Sequence, residues 1–184
     1  LMYSNKRVVF LVRDPRDTLV SYYFEYTKRG SKELANDSEF KGTISDFIRH
    51  DIGGIEGLVK FYNVWAAHWR LPKEFLLLKY EDFQNNPLGR FTELINFLAW
   101  PATDPGRLKN SIKKGEFNNM KNMEQGNVLN NARLKPPEDG DPEGFKIRRG
   151  KVGGYVDYLS KDDIEYIEQY LDANLDDFYS FYKP

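Results

Sequence analysis

Apolar residues fall along this chain in two short unbroken runs and several stripes of helical period, separated by polar stretches. Val8-Val9-Phe10-Leu11-Val12 is an apolar, β-branched run of strand length, which predicts a strand buried on both faces, as in a parallel sheet. Phe75-Leu76-Leu77-Leu78, after the breaker Pro72, predicts a second. Leu19, Tyr22, Tyr23 and Tyr26 stand at i, i+3, i+4 and i+7 and predict a helix whose stripe faces the core. Leu58, Phe61, Tyr62, Trp65 and Trp69 predict a longer helix over Glu56 to Arg70, with its aromatic stripe in the core rather than around a ligand. Phe91, Leu94, Ile95 and Leu98 predict another over Pro87 to Trp100, facing inward. Thr43 or Ser45 can cap a short helix through Ile48, and Leu108 to Lys113 has helical character. Two stretches lack any period: 31–42, and the Asn-, Gly- and Pro-rich 121–146, both expected to be mobile loops.

The residues that punctuate these elements bring the chemistry. Arg13 emerges at the carboxyl end of the first strand, where open α/β sheets commonly place ligands. Asp14 suits the N-cap, Pro15 the first helical position, and Asp17 adds negative charge to the first turn. Ser21 lies off the apolar stripe. It stands seven residues, or about 700° of helix, beyond Asp14, so it points toward the same side as the head of Arg13. An arginine and a hydroxyl so placed can hold a phosphate by charge-assisted hydrogen bonds; a capping arginine and a solvated serine fit the same pattern. Tyr80 ends the second strand as Arg13 ends the first, and Glu81 and Asp82 suit a helix start better than a metal site. Lys146, Arg148, Arg149 and Lys151 put four cations in six residues, followed by Gly153-Gly154, whose backbone is free to approach a ligand. The alternative is a solvated basic turn.

Composition narrows the classes. The chain of 184 residues is long enough for one domain with a real core, and 40% hydrophobic with 15% aromatic residues favours a folded protein. With 27 basic against 28 acidic side chains, no bulk attraction to nucleic acid or anionic membrane is expected, so anion binding must be local. There is no cysteine, which removes disulfides, thiolate metal sites and a cysteine nucleophile and suits a cytoplasmic setting. No run is long enough to span a membrane, and the start shows no signal-peptide pattern.

Arg13-Asp14-Pro15-Arg16-Asp17 with Val20-Ser21-Tyr22-Tyr23 resembles the 3′-phosphate-binding strand and helix of the sulfotransferases that use 3′-phosphoadenosine 5′-phosphosulfate (PAPS). Lys79-Tyr80-Glu81-Asp82-Phe83 with Asn86-Pro87 resembles a second segment of that family, and Ile147-Arg148-Arg149-Gly150-Lys151-Val152-Gly153 resembles its late basic loop, in the same order. The resemblance runs from about Lys6 to about Tyr155. It implies an α/β fold, a three-layer parallel sheet flanked by helices like that of the P-loop nucleotide-binding proteins, in one domain. It also implies in-line transfer of a sulfuryl group from PAPS to a hydroxyl or amine of a small-molecule, lipid or carbohydrate acceptor, leaving 3′-phosphoadenosine 5′-phosphate (PAP), with no metal. By the same resemblance Arg13, Ser21, Arg148, Arg149 and the Gly150 amide surround the 3′-phosphate, Tyr80 lies beside the adenine, and Phe117 stacks on it.

The chain also departs from that pattern. Gly115 and Glu116 stand where the family often has small hydroxyl residues, and Gly153-Gly154-Tyr155 replaces its glycine, aspartate and tryptophan, which suggests a divergent, microbial branch. The family's 5′-phosphosulfate loop, its lysine and its histidine base have no counterpart, and neither His50 nor His68 matches that base. No catalytic residue is therefore assigned, and the chain is expected to be the C-terminal portion of such an enzyme, lacking the N-terminal phosphate-loop part. No dimerisation segment is recognisable near Tyr155 to Asp163, which leaves monomer and dimer both open. Two rivals remain: a P-loop nucleotide or sugar kinase, which needs a glycine-rich loop and magnesium carboxylates, and a non-catalytic nucleotide-binding relic.

Overall fold

The computed structural model describes residues 2–29, 40–51, 53–101, 104–128, 130–131 and 134–184. In chain order the elements are β1 (Arg7–Val12), α1 (Pro15–Phe24), α2 (Ile44–Ile48), α3 (Ile55–His68), β2 (Glu74–Lys79), α4 (Tyr80–Asn85), α5 (Pro87–Phe97), α6 (Pro105–Lys114), α7 (Phe117–Gln125) and α8 (Lys161–Asn174). A π-helical turn, Glu25–Arg29, extends α1, and 3-10 turns occupy Pro142–Gly144, Gly154–Asp157 and Asp177–Tyr182. The chain divides into two compact units, one formed by Leu1–Arg13 and His68–Asn122, the other by Asp14–Ala67 and Met123–Pro184.

In the first unit β1 and β2 pair in parallel, from Arg7 opposite Glu74 to Val12 opposite Lys79. The parallel α/β expectation is met, but burial on both faces is not. Phe10 and Val12 are buried whereas Leu11 between them is 55% exposed, and Leu78 is the buried residue of β2. Successive side chains of a strand point to opposite faces, so an unbroken apolar run does not by itself show that both faces are covered. Asn86 caps α5, its side chain accepting from the Gly89 amide at 3.0 Å, and Pro87 takes the first helical position. Phe83 of α4 meets Phe91 of α5 edge-on, with ring centroids 4.9 Å apart. The inward stripe expected for α5 is not found: no residue of that helix is fully buried, and Phe91 and Leu98 are among the exposed large apolar residues.

The second unit holds a core of Leu19 and Val20 from α1, Phe47 and Ile48 from α2, Ile55, Val59, Tyr62 and Ala66 from α3, and Ile167 and Leu171 from α8. Tyr179 closes it, its ring 5.2 Å from that of Tyr62 and its hydroxyl donating to the Tyr62 carbonyl at 2.9 Å. The tyrosine stripe of α1 does not sink into this core whole. Tyr22, Tyr23 and Tyr26 instead surround Phe47, with centroids 5.6, 5.7 and 6.0 Å from its ring. The aromatic stripe expected of the long helix is likewise corrected, since only Tyr62 of it is buried and Phe61 and Trp69 are exposed. Apolar residues occur all round α3, so periodicity could not select its inward face.

Thr43 is the cap of α2, in a reciprocal box with Asp46, and Ser160 caps α8 in the same way with Asp163. The expected loop at 31–42 lies outside the described residues through position 39. The expected loop at 121–146 is not one loop: α7 runs through Gln125, Glu124 in it is buried, and a 3-10 turn forms at Pro142–Gly144.

Candidate functional site

Within the first unit, strand register makes a pair that the sequence placed 67 residues apart. Val12 and Lys79 are partners across β1 and β2, so the next residues, Arg13 and Tyr80, emerge together at the carboxyl ends. The Arg13 guanidinium lies over the Tyr80 ring, 4.6 Å from its centroid, an arrangement favoured by the negative face of the ring. The Tyr80 hydroxyl accepts from Gln84 at 3.2 Å, which sets the ring as the first residue of α4. A cation over an aromatic ring at the carboxyl ends of two strands suits a nucleotide, which offers both an anion and a π-face. Phe117 opens α7, half-buried, with Lys121 Nζ 5.8 Å from its ring centroid.

Within the second unit, the start of α1 is built as expected. The Asp14 side chain accepts from the Arg16 amide at 2.9 Å, Pro15 follows, and the Arg16 guanidinium grips Asp14 through two bonds of 2.9 Å and Glu168 through one of 2.8 Å. Ser21 is exposed on α1. Asp17 does more than add charge to the first turn. It is buried, and its two oxygens accept from the Gly153 amide at 2.8 Å and the Tyr155 amide at 2.9 Å. The Gly153 amide is thus committed to a carboxylate of the chain itself, not left free for a ligand as its sequence suggested. Gly150 and Gly153 have φ of 60° and 69°, the left-handed region that glycine enters without a Cβ penalty.

The cations on either side of Gly150 are already engaged. Arg148 donates to Glu143 at 2.8 Å and to the Tyr158 hydroxyl, and its guanidinium stacks 4.3 Å from the Phe24 ring centroid and 4.8 Å from that of Tyr158. Arg149 and Lys151 both reach Asp157 at 3.0 Å. Hydrogen bonds from Lys151 and then Arg149 and the nearby positive charges hold the Asp157 carboxyl below its usual range, despite some desolvation. The Tyr158 hydroxyl is pushed up, first by burial and then by its bond to Glu143. A second buried carboxylate, Glu124, accepts from the Lys146 and Ile147 amides at 2.6 and 2.7 Å.

The basic segment is therefore stacked and paired, while Lys146, Arg149 and Lys151 stay exposed to solvent. Asp17 and Glu124 escaped the sequence reading as loop anchors because their partners lie up to 138 residues away and backbone amides leave no mark in a sequence. His50 sits against Phe40, ring centroids 5.3 Å apart, and His68 ends α3, exposed. Among the described residues, no group of three or more His, Cys, Asp or Glu is placed to hold a metal ion.

The model of the sulfotransferase domain family matches residues 1–179. A flavonol 3-sulfotransferase of Flaveria bidentis is 26% identical over 182 residues, covering 94% of this chain and 55% of the relative. Sulfotransferase 2A1 of Rattus norvegicus is 32% identical over 133 residues, covering 69% of this chain and 43% of the relative. Among solved structures, a retinol dehydratase in complex with androsterone and the inactive cofactor PAP superposes with a TM-score of 0.66 at 22% identity, over 94% of this chain and 48% of that one. A mouse sulfotransferase complexed with PAP gives 0.63 at 16%, over 92% and 58%. The chain spans about half the length of the curated relatives it matches.

Proposed function

The chain belongs to the sulfotransferase family, and we propose that it supplies the 3′-phosphate and adenosine side of a PAPS site in an enzyme that moves a sulfuryl group to a hydroxyl or amine of a small-molecule, lipid or carbohydrate acceptor. The observation that carries this reading is the Arg13–Tyr80 pair, a fixed guanidinium on an aromatic face where two parallel strands end. Tyr80 then lies beside the adenine and Phe117 stacks on it. Arg13, Ser21, Arg148, Arg149 and the Gly150 amide serve the 3′-phosphate. Guanidinium-to-phosphate bonds are charge-assisted and position a dianion without a metal. The chain's share of the chemistry is to bind and orient the donor, on which transfer between well-placed groups depends. A cytoplasmic setting is proposed with it, supported by the cysteine-free composition and by a 27% identical relative named as a cytosolic sulfotransferase of Arabidopsis thaliana.

Calorimetric titration with PAP, with and without magnesium, tests the assignment. Metal-independent binding is expected, weakened roughly 10- to 150-fold by Arg13→Ala or Arg148→Ala, since each charge-assisted bond contributes about 1.5–3 kcal/mol. Unchanged affinity in both folded variants would sink the residue assignment. Magnesium-dependent ATP binding in place of PAP binding would support a kinase, and no nucleotide binding at all a relic.

A further inference from the structure

The basic loop is held at both ends by buried carboxylates that accept from its backbone amides. Glu124, 2% exposed, accepts from the Lys146 and Ile147 amides at the loop's start; Asp17, 3% exposed, accepts from the Gly153 and Tyr155 amides at its end. Arg148, Arg149 and Gly150 lie between these two points in a stretch with no helix or strand of its own. We propose that Glu124 and Asp17 are positioning residues that fix the backbone of this loop so that its guanidinium groups and the Gly150 amide are presented in one geometry to the donor's 3′-phosphate. This rests on the donor-site reading above.

A buried carboxylate is costly unless its lone pairs are used, and each of these uses them on two backbone amides. Bonds to neighbouring amides constrain the path of the chain, which a bond to one long side chain does not. The loop amides need such partners, because a buried N–H without one costs about as much as a lost hydrogen bond. At the loop's end the left-handed Gly153 is part of the turn that brings its own amide and that of Tyr155 to one carboxylate. The same end is braced again, since the Arg16 guanidinium lies 5.0 Å from the Tyr155 ring centroid while bonded to Asp14 and Glu168. At the loop's start the Arg29 guanidinium donates to the Gly144 carbonyl at 2.8 Å and approaches Glu124 at 3.4 Å. Glu124 ties the loop's start to α7, and Asp17 ties its end to α1, one turn before Ser21. Positioning thus falls to residues other than those that bind.

Glu124→Gln and Asp17→Asn keep the size of the side chain but replace one carboxylate oxygen by an NH2 that faces an N–H. Each is expected to weaken PAP binding by about 10-fold, the low end for a lost charge-assisted bond because the effect is indirect. Hydrogen exchange should quicken at Ile147 in the first and at Gly153 and Tyr155 in the second, while the amides of α8 keep their rates. A general loss of stability would instead speed exchange throughout the unit and leave the affinity of the folded protein unchanged. If the parent chain binds PAP and both folded variants bind it within about twofold of the parent, the positioning role is wrong. If the parent chain fails to bind PAP, the donor-site reading itself has failed.

Discussion

Glu143 holds Arg148 in the structure, and a donor phosphate would have to take that arginine from it or share it. The pair is well formed: Arg148 Nη1 is 2.8 Å from Glu143 Oε2, the two side chains are 15% and 26% exposed, and the Tyr158 hydroxyl donates to the same carboxylate at 2.9 Å. Glu143→Gln keeps a carbonyl acceptor for Arg148 and Tyr158 but removes the charge. A hydrogen bond involving a charged group contributes about 1.5–3 kcal/mol, and one between neutral groups about 0.5–1.5 kcal/mol. Arg148 keeps its own charge, so the bond retains part of that advantage, and partial exposure screens the rest; a change of about 1 kcal/mol is expected. The folded protein should lose that amount, lowering the melting temperature by about 2–4 °C for a chain of this size. The affinity for PAP should rise by roughly fivefold, because the phosphate no longer competes with a carboxylate. Calorimetry and thermal unfolding on the same samples give the two signs. Weaker or unchanged PAP binding in the folded variant would refute competition between Glu143 and phosphate for Arg148, and weaker binding would make Glu143 a support of the arginine instead.

Two further predictions concern the frame of the second unit. Asp163 is buried, where desolvation alone would raise its carboxyl, but hydrogen bonds from Arg49, Ser45 and Ser160 outweigh that and lower it. A lowered folded value means stability that is present above the ordinary carboxyl value of 3.8 and is lost as pH falls through the folded value. Asp163→Asn should therefore destabilise the protein at neutral pH by about 1–3 kcal/mol, with the difference from the parent shrinking below that value, as followed by denaturant unfolding across pH. Tyr179→Phe removes the hydroxyl that donates to the Tyr62 carbonyl at 2.9 Å inside the core; a loss of about 1–2 kcal/mol is expected in urea unfolding with PAP affinity unchanged, and a loss of affinity would show that this core bond reaches the donor site.

Local patterns carried much of the architecture and the family. Asp14 and Pro15 mark the start of α1, Thr43 caps α2, and the Arg13, Tyr80 and Arg148 segments resemble one family in the right order, because caps, strand ends and motifs are short-range signals written in adjacent residues. The inward faces were not legible where apolar residues surround an element: α3 turns Val59 and Ala66 inward and Phe61 outward, and β1 leaves Leu11 exposed between Phe10 and Val12. Nor was the pairing of site residues. Arg13 meets Tyr80 because strand register places them together, and the basic loop is shaped by Glu124 and Asp17 through backbone amides that every residue except proline possesses. The sequence by itself determined where the elements start and which side chains are candidates for a phosphate. Only the tertiary structure decided which of them stack, which are paired with carboxylates and what holds their loop, since those contacts depend on the path of the backbone: Arg148 meets Glu143 5 positions away, Glu124 reaches Ile147 across 23, and Asp17 reaches Tyr155 across 138.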